Sequence, residues 1–175
     1  MSSRDVWELY TLRSAVERLA AQLVAGSINS TKSSRLKWAL DGLAKECTRG
    51  SPGRVAEADF ALHKTIIQMS DHTRLASQYA LIEQQIRMYI RSSDALVAEI
   101  STIIDQHQPI VDAILAGDAE AGGHLSEQHN LTEGKKLSDH LRHIEDRREQ
   151  AKTASAPAAK KKTAAAGKAR RKSSR

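Results

Sequence analysis

The sequence predicts an all-α protein: an antiparallel bundle of about six helices followed by a disordered basic C-terminal tail. Three observations carry this. Apolar residues recur at three- and four-residue steps through most of the first 150 residues. Good helix formers dominate, while aromatics make up 3% of the 175 residues and only 3 prolines occur. No alternating Val/Ile/Thr/Tyr run and no Asn-Gly hairpin signal appears anywhere.

The elements follow in order. Residues 5–25 place Val6, Leu9, Tyr10, Leu12, Val16, Leu19, Ala20 and Leu23 at helical spacing, with Gly26 positioned to supply a left-handed cap. Ser30 or Thr31 can cap a second helix whose apolar face holds Leu36, Leu40, Leu43 and Ala44. Gly50, Pro52 and Gly53 break the pattern. A third helix runs from about Arg54 to Met69, and a fourth from about Arg74 to Leu96. The fifth, about Ser101 to Leu115, contains Pro109, which must sit in a first turn or create a kink. Gly117-Asp118 makes a tight turn into the sixth helix, about Ala119 to Arg148. Short connectors between successive helices imply antiparallel neighbours.

Charge divides the chain in two. Residues 151–175 hold nine basic residues and no acid, leaving 18 basic against 21 acidic residues in 1–150. The overall charge of +6 therefore belongs to the tail, and the bundle is mildly acidic. The tail has no large apolar residue to offset the entropy of ordering it. Lys160, Lys161, Lys162, Lys168, Arg170, Arg171 and Lys172 suit sequence-independent contact with a nucleic-acid backbone through counterion release. No aromatic interleaves them, so base stacking is not expected. The tail resembles the Lys/Ala-rich tails of histone-like proteins; the plainer reading is a solubilising segment.

No apolar run is long enough to span a membrane, and the N-terminus carries no signal-peptide pattern. One cysteine, Cys47, excludes an internal disulfide framework and fits a reducing cytoplasm. Trp7 and Trp38 read as core or interface residues. No nucleophile–base arrangement, phosphate-binding Gly loop or CxxC pair occurs, so an enzyme is not expected.

The candidate chemistry lies in histidines. Asp59 and His63 are one helical turn apart and project from one face. Such a pair can chelate a divalent ion, although alone it is more often a hydrogen-bonded surface pair. Two further histidines alter that balance. His107 lies ten residues before the Gly117-Asp118 turn and His129 eleven after it, so a helical hairpin brings them to similar heights. His72, His124, His140 and His143 fall outside this pattern.

These features together resemble the FCD domain, the helical ligand-binding domain of a large subfamily of GntR-type transcription regulators. Leu9-Tyr10-Thr11-Leu12-Arg13-Ser14-Ala15-Val16-Glu17 is similar to that domain's opening helix, and Asp59-Phe60-Ala61-Leu62-His63 to its Asp-x-x-Phe-His element. His107 and His129 flank the Ala-Ile-x-x-Gly-Asp hairpin as the family's later histidines do. The resemblance covers roughly residues 5–147, and residues 1–150 are read as one domain ahead of a 151–175 tail.

The resemblance implies a divalent metal, zinc or nickel, on Asp59, His63, His107 and His129, beneath a cavity for a small carboxylate effector. It implies a homodimer, and DNA as the regulator's eventual target. Arg13 is either a contact to the anionic effector or the local ion-pair partner of Glu17. Arg87 is either a second effector contact or solvated; Tyr89 and Arg91 are weaker candidates. The chain departs from the pattern in having Asp71-His72 in the connector after the third helix, and in carrying Leu62 before His63. It also begins directly at the first helix of the domain, where GntR regulators place a winged helix-turn-helix. A shortened regulator and a stand-alone sensor both fit that start. A metal- or metabolite-binding protein, or a metal-dependent enzyme, is the alternative function.

Overall fold

Six α-helices and one short 3-10 turn make up the computed structural model, which describes residues 1–155. Helix α1 spans Ser3–Ala25, α2 Ser30–Arg49, α3 Pro52–Met69, α4 Thr73–Asp94, α5 Ile103–Leu115 and α6 Ala119–Ser155, with the 3-10 turn at Ile100–Thr102 before α5. No strand occurs among the described residues.

Local chemistry explains the boundaries. Ser2 and Asp5 form a reciprocal capping box at the start of α1. Gly26 closes that helix in a right-handed conformation (φ −67°), so the left-handed cap expected there is absent. The left-handed glycines among the described residues are instead Gly50 (φ 66°) after α2 and Gly117 (φ 76°) after α5. Asn29, not Ser30 or Thr31, caps α2 by accepting from the Lys32 amide at 2.9 Å. Pro52 occupies the first turn of α3, where its missing N–H costs nothing. Asp71 turns the α3–α4 connector with φ 54° and pairs with Lys32 at 2.8 Å. The His72 ring caps α4. Pro109 lies inside α5, past its first turn. Asp118 caps α6 by accepting from the Ala121 amide.

Contact registers establish the antiparallel arrangement. Along α1, residues 3, 10, 18 and 22 meet residues 145, 134, 127 and 123 of α6 in descending order. Residues 35 and 46 of α2 meet 68 and 54 of α3. Lys64 and Glu57 of α3 meet Glu83 and Arg87 of α4. Ile114 faces Gly122, and His107 faces His129, across the α5–α6 hairpin. Helix α1 touches α3, α4, α5 and α6 and forms the middle of the bundle.

Helix α6 runs on to Ser155, past the helix end expected near Arg148. The lysines and arginines singled out between 160 and 172 lie outside the described residues. Trp7 and Trp38, read as core or interface residues, are 41% and 79% exposed, which leaves the interface reading. The buried stripe of α1 also differs from its apolar pattern: Leu12 and Leu19 are outside, while Arg13, Ser14 and Glu17 are inside. Burying two opposite charges together at one helical turn is what permits this.

Candidate metal centre

Three antiparallel helices bring the histidines together. Asp59 and His63 lie one turn apart on the inner face of α3, His107 on α5 and His129 on α6. Ring centroids are 5.1 Å apart for His63–His107, 5.2 Å for His63–His129 and 4.5 Å for His107–His129. One ligating nitrogen from each of the three falls within 4.8 Å of the others. Asp59, His63 and His107 are buried, and His129 is partly so.

Ring orientation is the informative part. The Nδ1 of His107 lies 2.9 Å from the Ile103 carbonyl, and the Nδ1 of His63 lies 2.7 Å from Glu17 Oε2. Both acceptors require a proton on Nδ1. The two Nε2 atoms then face each other at 3.1 Å, with Asp59 Oδ1 3.3 Å from one and Oδ2 3.4 Å from the other. Two lone pairs at that distance repel unless a proton or a cation lies between them. Asp59 Oδ1 has no hydrogen-bond partner among the described residues although it is buried. Imidazole nitrogens converging with a carboxylate are the donor set of zinc or nickel. The residues fit such an ion.

Electrostatics agree. Burial alone would lower the pKa of His63, yet the Glu17 carboxylate outweighs it and holds the ring at about 9. Burial and the neighbouring His107 and His63 rings push His129 far below the ordinary histidine value. Burial would raise Asp59, but His107 and His63 hold it well below the usual carboxylate range. A cluster with a surplus of basic nitrogen beside one carboxylate can take up a proton or exchange it for a divalent ion.

Arg13 enters the same site. Its Nε donates to Glu17 Oε1 at 2.6 Å, while its Nη2 is buried without a partner. That residue, Tyr10, Asp59, Asp94, His129 and Glu133 help line a narrow recess of about 10 Å³, room for one water-sized group. The recess adjoins a wider groove of about 380 Å³ between α5 and α6, sharing Gln106, His129 and Glu133 with it. Arg87 is elsewhere: its guanidinium stacks 3.9 Å from the Phe60 centroid and pairs with Glu57 and Glu83. Tyr89 packs against Tyr10 facing a different groove, and Arg91 lies against Gly53 at the start of α3. His124, His140 and His143 are exposed.

Sequence reasoning missed Glu17 as more than an ion-pair partner, and missed Tyr79, Asn130, Asp94 and Glu133 entirely. Glu17 accepts from Tyr79 Oη at 3.1 Å and from Asn130 Nδ2 at 2.9 Å in addition to Arg13. The available signal was the placement of Arg13 and Glu17 beside Val6, Tyr10 and Ala20 on one side of α1.

Comparison with known proteins gives two findings. The FCD domain family model matches residues 8–132. A probable D-xylose utilization operon transcriptional repressor of Paenarthrobacter nicotinovorans is 28% identical over 132 residues, which cover 74% of this chain and 56% of that protein. The chain thus spans just over half the length of that relative.

Proposed function

The chain belongs to the FCD domain family, and from that premise we propose that it is the effector-sensing domain of a GntR-type transcription regulator. In this reading Asp59, His63, His107 and His129 hold a divalent zinc or nickel ion, and a small carboxylate binds beside it. The observation that carries the reading is the pair of Nε2 atoms of His63 and His107 facing each other beside Asp59. The ion, when bound, supplies positive charge that attracts a carboxylate. Arg13 Nη2, buried and unpartnered, supplies a donor for the same anion. The α5–α6 groove is the way in, since it shares His129 with the recess. Arg87, committed to Glu57, Glu83 and Phe60, takes no part in effector binding. No catalytic role is assigned to any residue.

A homodimer is proposed on the outer face of α1 and α4. Leu12 and Leu19 on α1, and Leu81 and Met88 on α4, are each two turns apart and 43–77% exposed. An apolar recess between them is lined by Ala15, Val16, Leu19 and Leu75. DNA contact is proposed through the basic tail, without sequence preference, and through whatever DNA-reading domain accompanies this one in a regulator. Among the described residues no helix is long and apolar enough to cross a membrane.

A thermal-shift screen of small carboxylates, with and without chelator, tests the central reading. At least one carboxylate should raise the Tm, and chelator should abolish that rise. A panel with no response in metal-loaded protein would count against it. For the tail, removal of residues 156–175 should abolish DNA retention on a column; retention unchanged by the deletion would reject that contact.

A further inference from the structure

Glu17 is at least 42 residues away in sequence from every proposed metal ligand, yet it touches one of them directly. Its Oε2 lies 2.7 Å from His63 Nδ1 and accepts from Asn130 Nδ2 at 2.9 Å. Its Oε1 accepts from Arg13 Nε at 2.6 Å and from Tyr79 Oη at 3.1 Å. The carboxylate is 2% exposed. A carboxylate offers about four acceptor directions, so all of them are used. Nothing remains with which Glu17 could itself coordinate an ion.

We propose that Glu17 is the positioning carboxylate of the metal centre, holding His63 with Nδ1–H toward itself and the Nε2 lone pair toward the ion. The proposal rests on the metal reading given above. A neutral imidazole has two tautomers, and only the one protonated on Nδ1 leaves Nε2 free to ligate. For His107 the choice is made within its own helix, by the Ile103 carbonyl four residues back. His63 receives the same service from another helix, α1, through a charged acceptor. Arg13 Nε, 2.6 Å from Oε1, sets a positive charge against that acceptor and anchors it. Tyr79 and Asn130 fix its rotation from α4 and α6. A carboxylate behind a ligating imidazole orients the ring and makes it a better donor, and its loss typically weakens metal binding about 10- to 100-fold.

The test uses the full chain and Co²⁺ as a spectroscopic probe, titrated into wild type, Glu17→Gln, Glu17→Asp and His63→Ala. The expectation is that Glu17→Gln still binds one Co²⁺, roughly 10- to 100-fold more weakly, with a shifted d–d spectrum, and that Glu17→Asp recovers part of the loss. A folded Glu17→Gln protein with wild-type affinity and spectrum would overturn the proposal. Should Glu17→Gln fail to fold, the double variant Arg13→Met, Glu17→Gln removes both buried charges together and carries the same comparison. Independently, ¹⁵N NMR of the zinc-loaded wild type should show His63 protonated on Nδ1 and coordinated through Nε2; coordination through Nδ1 would overturn the proposal without any variant. His63→Ala separates the two levels: if it binds Co²⁺ as wild type does, the metal reading itself has failed.

Discussion

Arg13 Nε and Glu17 Oε1 are 2.6 Å apart on one helix, and each side chain is 2% exposed. An exposed pair at this spacing contributes a few tenths of a kcal/mol. A buried one behaves differently, because removing either partner leaves a charge with no water to solvate it. Arg13→Ala is therefore expected to cost about 3–5 kcal/mol in urea unfolding. Arg13→Lys keeps the charge but loses the fork that leaves Nη2 for a ligand. It should stay closer to wild type in stability and lose most of the thermal response to carboxylates. A full response in Arg13→Lys would show that the guanidinium is not the effector's donor.

Metal content follows from the same cluster. Wild type purified without chelator should carry about one divalent ion per chain, while His63→Ala and His129→Ala should carry far less. Arg87→Ala serves as the control, since that side chain is occupied by Glu57, Glu83 and Phe60 on another part of the bundle. Elemental analysis decides: equal content in all four proteins would eliminate the site. Chelation should also lower the Tm, since an ion bound only by the folded state at 100 times its Kd stabilises by about 2.7 kcal/mol.

Much of this was legible in the sequence, and the part that was not has a physical reason. The helices α1 to α6 follow from apolar spacing, and the meeting of His107 with His129 from counting residues back from Gly117-Asp118. Asp59 and His63 share a face because of helical pitch alone. What spacing could not reveal is which polar residues go inside. Leu12 and Leu19 look like core residues in a one-dimensional pattern, and Arg13 and Glu17 look like surface ones. The structure reverses them because charge pairing offsets burial only when partners from other helices arrive, here His63, Tyr79 and Asn130. Those partners lie 46 to 113 residues away in the chain. Trp7 and Trp38, which apolar character alone allowed in either the core or an interface, lie outside the core.

Asp94 gives a pH-dependent prediction. It is buried, its Oδ2 has no partner, and it faces Asp59 and Glu133, with Lys136 and His63 as the opposing positive groups. Burial first, then those two carboxylates, push its pKa up to about 8. The unfolded value is near 4. A folded value above the unfolded one means the stabilisation is complete below about pH 4 and is lost as pH rises through about 8. Asp94→Asn cannot ionise, so its stability relative to wild type should grow from pH 5 to pH 9, by roughly 1–3 kcal/mol. The comparison is made in chelator, because a nearby cation would favour the ionised carboxylate in wild type. A constant difference across that range would show that Asp94 titrates as an ordinary carboxylate.

The closeness of α1 and α6 rests on a residue without a side chain. A Cβ at Gly134 would stand 2.4 Å from Tyr10 Cβ and 2.6 Å from Tyr10 Cγ. Neither atom is the free end of a flexible chain, and Tyr10 is 1% exposed beneath the Tyr89 ring. The two helices would have to separate. Alanine ordinarily gains about 1 kcal/mol over glycine inside a helix. Overpacking a close contact costs about 1–3 kcal/mol or more, and at this position it should outweigh that gain. Gly42, in α2, has nothing within 4 Å of its would-be Cβ and supplies the reference. Gly42→Ala should raise stability by about 0.5–1 kcal/mol, while Gly134→Ala should lower it by about 2 kcal/mol. Because Tyr10 also borders the recess at the metal centre, Gly134→Ala should weaken Co²⁺ binding as well, and Gly42→Ala should not. Equal urea midpoints for the two variants would mean that α1 and α6 have slack between them, and that the recess is not held by their approach.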